Sequence, residues 1–223
     1  MDSRHQRIVF LGPPACGKGT QVSMLAARSG LPTVVTGEML RRSAAAGTPT
    51  GLAAKEYMDR GDLVPDSVLN RLVSETLEDP AYAGGFILDG YPRTVDQAKF
   101  LTGYLQERQT PLTDVVAIEV PHDMLVRRQA GRLICKSCGR VYNRHYLPPP
   151  SEGRCACGGE LYQRADDSEE VIRTRLEVYR TNTAPLLAYF RRQGVLREVD
   201  GSGVPQRVQE SILAVLDRGG GPA

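Results

Sequence analysis

Short apolar runs alternate with helical segments along most of the chain. The runs that have the length of strands lie at residues 8–11, 86–88 and 115–120. Each precedes a segment whose apolar positions recur with the helical period, and these helices are predicted from residue 18 onward, near 94–107 and near 122–130. Repeated strand–helix units favour an α/β fold with a mostly parallel sheet, helices on both faces and right-handed crossovers. In such a sheet, ligands bind at the carboxyl ends of the strands.

The C-terminal part of the chain continues this alternation. A long helix with acidic residues in its first turn is predicted at residues 167–182, and Pro185 is expected to end or kink it before a second helical stretch at 186–193. A last strand at 195–199 and a last helix at 204–216 complete the pattern. We therefore assign this part of the chain to the same α/β core.

Two stretches do not fit simple connections between strand and helix. Residues 35–64 are interpreted as two or three short helices, separated by glycines and Pro49, and are long for a crossover. Residues 131–168 contain four of the five cysteines and a proline run at 148–150, and they show no helical period. We interpret both stretches as insertions into one core, which comprises residues 1–34, 65–130 and 169–223.

Composition and charge exclude several classes of protein. A chain of 223 residues with 41% hydrophobic residues can bury a full core, and a dispersed net charge of +2 does not demand a nucleic acid or a membrane as partner. No apolar run approaches the roughly 20 residues that cross a bilayer, and the first residues lack the apolar core of a signal peptide. We therefore expect a cytoplasmic protein.

A glycine-rich loop at residues 12–20 lies between the first strand and the first helix, the context in which the pattern G-x-x-x-x-G-K binds phosphate. Its glycines allow backbone N–H groups to turn toward phosphate oxygens, and Lys18 adds a full positive charge. A nucleoside triphosphate is the predicted ligand. Gly19 occupies the position where such loops usually have a hydroxyl, and Thr20 follows it. We therefore expect Mg²⁺ to be held largely through waters, with Asp89 as the nearby carboxylate.

Further motifs follow this loop in order along the chain. They are Thr36-Gly37-Glu38-Met39-Leu40-Arg41, Asp62-Leu63-Val64-Pro65-Asp66, Asp89-Gly90-Tyr91-Pro92-Arg93-Thr94 with Gln97, Gly131-Arg132, and Arg164-Ala165-Asp166-Asp167 followed by Arg175. Together they resemble the adenylate kinases of the long-lid bacterial type over nearly the whole chain. The resemblance implies the P-loop nucleoside monophosphate kinase fold, with two mobile inserted segments. It also implies transfer of the terminal phosphoryl group of ATP to AMP, giving two ADP.

The same resemblance assigns roles to the inserted segments and to individual residues. Residues 35–64 would hold AMP, residues 131–168 would close over ATP as a lid, and the enzyme would act as a monomer. The residues implied in catalysis are Lys18, Arg93, Arg132, Arg164 and Arg175. Those implied in ATP binding are Ala15, Cys16, Gly17, Lys18, Gly19, Thr20, Arg132, Val141, Tyr142 and Gly203. Those implied in AMP binding are Thr36, Arg41, Asp62, Leu63, Val64, Gly90, Tyr91, Pro92, Arg93, Gln97, Arg164 and Arg175.

Arginines suit this chemistry because a guanidinium group binds phosphate oxygens in pairs and stays charged. Arg41 and Arg93 would hold the AMP phosphate, Arg132 would reach the ATP phosphates, and Arg164 and Arg175 would bridge the transferred group. Phosphoryl transfer of this kind needs positioning and charge neutralisation rather than a covalent nucleophile.

The preference for AMP depends on Thr36 and Gln97, which would contact the adenine, since a glutamine amide presents a donor and an acceptor side by side. A kinase for UMP or CMP, or one that uses GTP, is an alternative. A regulator that binds nucleotides without catalysing a reaction is another alternative. A protein that had lost its activity should also have lost some of the arginines that face the phosphates, and none of them is missing. A zinc-knuckle nucleic-acid binder is disfavoured by the modest net charge.

Four cysteines between residues 131 and 168 have nearly the spacing of a metal site. Cys135 and Cys138 form a C-x-x-C pair, and Cys155 and Cys157 follow with a spacer of one residue where two are usual. In a reducing compartment this pattern favours a structural Zn²⁺ with four thiolate ligands over disulfides, and reduced thiols without metal are the alternative. Cys16 stands apart in the phosphate loop, where a thiol near a helix N-terminus can acidify.

Overall fold

A five-stranded parallel sheet lies at the centre of the structure, a computed structural model that describes residues 5–144, 146–163 and 169–219. In chain order, the described strands are β1 (Arg7–Leu11), β2 (Thr33–Val35), β3 (Phe86–Asp89), β4 (Asp114–Glu119), β5 (Arg132–Cys135), β6 (Val141–Asn143), β7 (Leu161–Tyr162) and β8 (Leu196–Asp200). The order across the central sheet is β2-β3-β1-β4-β8. The antiparallel sheet β6-β5-β7 is separate from it. The first three predicted strands therefore lie side by side as β3, β1 and β4.

Helices pack on both faces of the central sheet. In chain order they are α1 (Lys18–Ser29), α2 (Thr36–Ala45), α3 (Pro49–Arg60), α4 (Asp66–Leu77), α5 (Val95–Glu107), α6 (His122–Ala130), α7 (Glu169–Val178), α8 (Pro185–Arg192) and α9 (Pro205–Gly219). The helices α1 and α9 contribute to one apolar cluster, and α4, α5 and α8 contribute to the other. Within the described ranges, none of the helices combines the length with the apolar composition that a bilayer crossing needs.

The central strand β1 is buried on both faces. Ile8 and Phe10 belong to one apolar cluster while Val9 and Leu11 belong to the other, as the alternation of side chains along a strand requires. All four are at most 3% exposed. A parallel sheet that is covered by helices on both sides needs such continuous apolar strands, which is why β1 was visible in the sequence as an unbroken apolar run.

Local signals in the sequence mark several helix boundaries. Gly17 and Gly30 adopt left-handed conformations directly before and after α1, with φ of 101° and 73°. The hydroxyl of Thr94 accepts a hydrogen bond from a backbone N–H in the first turn of α5. Thr48 caps α3 in the same way, and Pro49 occupies the first helical position, where its missing N–H is tolerated.

Three features of the chain differ from the sequence-based expectations. The helix predicted at 167–182 is interrupted, because α7 ends at Val178 and Tyr179–Thr183 form a π-helical turn; residues 167 and 168 lie outside the described residues. The break expected at Pro185 is present, because the π-helical turn ends at Thr183 and Pro185 begins α8, whose first turn accepts proline. The periodicity did not predict β2, which has only three residues, or α4, which directly follows an irregular stretch.

The two irregular stretches have different structures. Residues 35–64 contain α2 and α3, which pack against each other. The described part of residues 131–168 contains the antiparallel sheet and the four clustered cysteines. The division of the chain into one core with two inserted functional segments, residues 35–64 and 131–168, remains a prediction.

Gly51 permits the close packing of α3 on α2, and this predicts a specific loss of stability. A Cβ at Gly51 would lie 2.2 Å from the carbonyl carbon of Ser43 and 2.3 Å from the backbone nitrogen of Ala44. G51A should therefore push the helices apart and lower the stability by about 1–3 kcal/mol, which thermal unfolding would measure as a fall in the midpoint.

G103A is the matched control for this substitution. Gly103 lies within α5, and a Cβ there would meet no heavy atom within 4 Å. This variant should be neutral or more stable by up to about 1 kcal/mol, since alanine favours the helix. If both variants unfold at the same temperature, the close contact at Gly51 does not limit stability.

Candidate active site

A cavity of about 740 Å³ opens at the carboxyl ends of the central strands. Its wall is formed by loops after β1, β3 and β8, by parts of α2 and α7, by the segment between α3 and α4, and by the antiparallel sheet. The predicted site residues that line it are Ala15, Cys16, Gly17, Lys18, Gly19, Thr20, Thr36, Arg41, Asp62, Leu63, Val64, Asp89, Gly90, Pro92, Arg93, Arg132, Val141, Tyr142, Arg175 and Gly203. Tyr91 and Gln97 are instead buried in the protein, and Arg164 lies outside the described residues.

The loop after β1 is closed tightly on itself. A Cβ at Gly12 would lie 2.7 Å from both the sulfur of Cys16 and the carbonyl oxygen of Ile118, so only glycine fits there. The Nζ of Lys18 donates hydrogen bonds to the carbonyl oxygens of Gly12 at 2.5 Å and Pro13 at 3.0 Å. The ammonium group is thereby held over the loop at the N-terminus of α1, where the helix dipole also attracts anions.

The thiol of Cys16 faces the protein interior. This residue is 2% exposed and belongs to the same apolar cluster as Phe10 and Ile118. Its sulfur lies 3.6 Å from the Nζ of Lys18. The burial disfavours the exposed, reactive thiol that the position of Cys16 beside a helix N-terminus suggested.

Arg93 is held at three points by neighbouring groups. Its Nε donates a hydrogen bond to the carbonyl oxygen of Gly90 at 2.8 Å. Its backbone N–H donates to Oε1 of Gln97 at 2.7 Å, and its carbonyl oxygen accepts from the hydroxyl of Thr183 at 2.9 Å. Thr183 belongs to the π-helical turn, so this irregular turn supplies the hydroxyl that binds Arg93.

The pKa of the Arg93 guanidinium depends on its removal from bulk water and on two charged neighbours. Partial removal of the guanidinium from bulk water lowers its pKa, the carboxylate of Asp89 opposes this shift, and Arg175 lowers the pKa further. Arg41 and Arg132 line the same cavity. A concentration of positive charge of this kind is suited to binding several phosphate groups at once.

Asp89 places a carboxylate beside the phosphate loop. A Cβ at Gly19 would lie 3.8 Å from Oδ2 of Asp89, which fixes the position of this side chain next to the start of α1. Thr20 lines the same part of the cavity. The donor set of a carboxylate and a hydroxyl fits Mg²⁺, which prefers oxygen ligands and retains several waters.

The two residues predicted to contact adenine have different surroundings. Thr36 borders the cavity, is 1% exposed, and donates from its hydroxyl to the carbonyl oxygen of Asp89 at 3.4 Å. Gln97 is fully buried, and its amide binds the N–H of Arg93 and the carboxylate of Asp66, each at 2.7 Å. The contact between Gln97 and a base therefore stays a prediction, while its contacts within the protein are those of a supporting residue.

Tyr91 also supports the wall of the cavity from the core. It is fully buried, and its hydroxyl donates to Oδ1 of Asn70 at 2.7 Å. Burial raises the pKa of this phenol, and the carboxylate of Asp66 raises it further, so the hydroxyl stays protonated as a donor. The neighbours Gly90 and Pro92, rather than the ring of Tyr91, reach the cavity.

Arg128 is a cavity residue that the sequence did not identify. Its guanidinium donates to the carbonyl oxygen of Cys16 at 3.3 Å and to that of Ser202 at 3.2 Å, and it lies 5.3 Å from the ring centre of Tyr146. It thus links the phosphate loop, the loop after β8 and the cysteine-containing segment. Arg127 and Arg128 are adjacent on α6, and no signal in the sequence separated them.

The four clustered cysteines converge on one point of the antiparallel segment. The sulfur of Cys157 lies 3.5 Å from that of Cys135 and 3.4 Å from that of Cys138, and Cys138 and Cys155 are 3.6 Å apart. All four sulfur atoms lie within 4.8 Å of one another and none forms a disulfide. A tetrahedral zinc with bonds of about 2.3 Å separates its sulfur ligands by about 3.8 Å, so the cluster fits this metal despite the shorter second spacer.

Backbone groups around the cluster favour thiolates. Hydrogen bonds from the backbone lower the pKa of Cys135 and of Cys155. A hydrogen bond from the hydroxyl of Tyr142 lowers the pKa of Cys155 further. The backbone N–H of Gly159 lowers the pKa of Cys157, but the neighbouring sulfur atoms together raise it to about 12. The neighbouring sulfur atoms thus oppose ionisation of Cys157, and a bound dication would remove that opposition.

Comparison with known proteins identifies relatives over nearly the whole chain. The family model described as adenylate kinase matches residues 10–195. An adenylate kinase of Thermodesulfovibrio yellowstonii is 50% identical over 213 residues, which cover 95% of this chain and 99% of the relative. An adenylate kinase of Archaeoglobus fulgidus is 46% identical over 212 residues, covering 95% and 98% of the two chains. That of Syntrophobacter fumaroxidans is 47% identical over 210 residues, covering 94% and 99%.

These relatives confirm the resemblance that the motifs predicted. The matched region includes the phosphate loop from Phe10 onward, both inserted stretches and the arginines that line the cavity. The fold is also confirmed, since the central parallel sheet flanked by helices is that of the matched family.

Proposed function

The chain belongs to the adenylate kinase family, and on this premise we propose how its residues perform the Mg²⁺-dependent, reversible transfer of a phosphoryl group from ATP to AMP. The observation that supports this best is the shared cavity, in which the phosphate loop faces Arg41, Arg93, Arg132 and Arg175. One chain forms this cavity, so catalysis needs no second subunit and we expect a monomer.

The phosphate loop and the lid bind ATP in this proposal. The backbone N–H groups of residues 15–20 and the ammonium of Lys18 bind the phosphates, because the loop already orients them at a helix N-terminus. Arg132 approaches from the lid, while Val141, Tyr142 and Gly203 border the base. Bound with ATP, Mg²⁺ neutralises phosphate charge, and Asp89 with Thr20 would hold it through waters.

The opposite side of the cavity binds AMP. Arg41 and Arg93 bind its phosphate, and residues 62–64 with Thr36 border its base. Gln97 would complete adenine recognition from behind Arg93, to which it is hydrogen-bonded. Gly90 and Pro92 shape the wall between the two nucleotides.

Catalysis consists of alignment and charge neutralisation. Lys18, Arg93, Arg132, Arg164 and Arg175 surround the phosphoryl group as it moves from ATP to the AMP oxygen. Because phosphoryl transfer spreads charge over the equatorial oxygens, fixed guanidinium groups stabilise the transition state more than the separated substrates. Residues 35–64 and 131–168 close over the nucleotides as mobile segments, which excludes water that would otherwise hydrolyse ATP.

The lid contains a structural zinc in this proposal, bound by Cys135, Cys138, Cys155 and Cys157. The apolar cluster around these sulfurs is small, with Tyr142 and Leu161 as its other buried members. Such a cluster stabilises little structure by itself, whereas a structural zinc contributes on the order of 10 kcal/mol. With four protein ligands the metal has no open position for water, so it takes no part in the chemistry.

The test of the proposed activity is incubation of the protein with ATP, Mg²⁺ and one nucleoside monophosphate at a time. ADP should form fastest with AMP, and GMP, UMP and CMP should serve as controls for base preference. The absence of ADP formation from ATP and AMP would contradict the proposed function. A faster reaction with another monophosphate would contradict the assigned acceptor.

Removal of single arginines should reveal which ones act on the phosphates. R132A and R164A should each lower the turnover number by about 10³–10⁵, the loss that follows removal of a charge-stabilising arginine in phosphoryl transfer. R42A is the matched control, because the Arg42 side chain is 74% exposed and its partner Glu38 is 3.7 Å away. Its turnover should stay within about twofold of the unmodified protein. Near-normal turnover of R132A and R164A would refute their assignment.

Metal analysis tests the zinc proposal directly. The purified protein should contain about one equivalent of zinc, and the zinc should be lost as the pH falls, because protons compete for the thiolates. C138S should lose the metal, while C16S should retain it, since Cys16 lies outside the cluster. Less than about a tenth of an equivalent in the unmodified protein would exclude a structural zinc.

A further inference from the structure

Asp66 accepts two side-chain hydrogen bonds behind the wall of the cavity. It is the first residue of α4, and it is not among the residues that line the cavity. Its Oδ2 accepts from the hydroxyl of Thr94 at 2.8 Å, and its Oδ1 accepts from Nε2 of Gln97 at 2.7 Å. The carboxylate therefore connects the start of α4 to the start of α5.

These contacts determine which way the amide of Gln97 points. A carboxylate only accepts hydrogen bonds, so Asp66 requires the NH₂ end of the amide. The backbone N–H of Arg93 only donates, so it requires the oxygen end, which it meets at 2.7 Å. If the amide were rotated, its NH₂ group would face the N–H of Arg93 and its oxygen would face the carboxylate of Asp66, so neither hydrogen bond could form. Asp66 and Arg93 therefore hold Gln97 in one orientation.

The orientation of Gln97 in turn fixes the main chain of Arg93. With Gln97 on its N–H and Thr183 on its carbonyl oxygen, the peptide groups on both sides of Arg93 are hydrogen-bonded. The guanidinium then bonds back to Gly90 from this fixed main chain. Because a phosphate ligand needs its donors at defined positions, a main chain free to move would weaken the contact.

We infer that Asp66 is a positioning residue for Arg93, acting through the amide of Gln97 to align the guanidinium with the phosphate of the acceptor nucleotide. The inference rests on the proposed function, in which Arg93 binds the AMP phosphate. It assigns Asp66 no contact with substrate. Its effect should be larger on AMP than on adenosine, because the phosphate depends on Arg93 while the base depends only on the contact proposed for Gln97. The ATP site should be unchanged.

The simpler role for Asp66 is stabilisation of the first turn of α4 by its negative charge, since acidic residues interact favourably with a helix N-terminus. That role depends on charge, whereas the inferred role depends on an acceptor facing Gln97. D66N separates them, because asparagine lacks the charge but keeps a carbonyl oxygen that accepts from Gln97. D66A removes both.

The experiment compares binding of AMP, adenosine and ATP to D66A and D66N by calorimetry. D66A should weaken AMP binding about tenfold, the equivalent of about one hydrogen bond. It should weaken adenosine binding by at most about threefold, because Gln97 is also proposed to contact the base, and change ATP binding by less than about twofold. D66N should stay within about threefold of the unmodified protein for all three ligands. D96A is the matched control, because Asp96 also lies in the first turn of a helix but is 81% exposed and contacts only Lys99 among the described side chains. It should bind all three ligands normally.

A double substitution gives an independent measurement. In the R93A background, D66A should cause a further loss of AMP affinity no larger than its effect on adenosine, because the guanidinium that Asp66 positions is absent. Equal further loss in both backgrounds would overturn the inference. If D66A does not fold, D66E serves instead, since it keeps the charge and displaces the acceptor oxygens by one methylene group.

Several results of the binding experiment would also overturn the inference. Equal weakening of AMP and adenosine binding by D66A would place the effect on the base. Weakening of ATP binding as well would indicate a general loss of structure. Equal losses in D66N and D66A would indicate that the charge of Asp66, and not its acceptor oxygen, is what matters. Failure of the proposed function is distinguishable, because it would appear in the unmodified protein as absence of ADP formation from ATP and AMP.

Discussion

Positively charged groups must stay close together in one cavity although they repel one another. The structure meets this constraint by bonding the cationic side chains to backbone carbonyl oxygens: Lys18 to Gly12, Arg93 to Gly90, and Arg128 to two of the surrounding loops. A carbonyl group orients a cation without cancelling its charge, so the phosphates of the nucleotides supply the counter-charge. Loss of water lowers the pKa of Arg93, Asp89 opposes this shift, and the like charge of Arg175 lowers the pKa further.

The same constraint explains why supporting residues matter as much as the residues that line the cavity. Gln97 and Thr183 bind the main chain of Arg93 from opposite sides, and Asp66 binds Gln97. Gln97 and Asp66 make their bonds behind the cavity wall, where they do not compete with substrate, whereas Thr183 also lines the cavity. The site is therefore built on the starts of α4 and α5 and on the π-helical turn, while the described part of residues 131–168 has a small apolar cluster around its cysteines.

Much of the fold could be predicted because its signals are local. The apolar runs became β1, β3 and β4, and the helices predicted after them became α1, α5 and α6. The π-helical turn and β2 were not predicted, since a five-residue turn and a three-residue strand are too short to show a period. Arg128 was missed because neighbouring arginines on one helix cannot be told apart until the helix is packed.

The sequence by itself determined the family, the phosphate loop and the set of cysteines, because these depend on residue types at fixed short spacings. Only the tertiary structure decided that Tyr91 and Gln97 lie in the protein interior, that the shorter spacer still brings Cys157 to within 3.5 Å of Cys135, and that Asp66 reaches Gln97. The physical reason is that burial and hydrogen bonding join residues distant along the chain. Such pairings are set by how helices and loops pack, and no local pattern in the sequence records them.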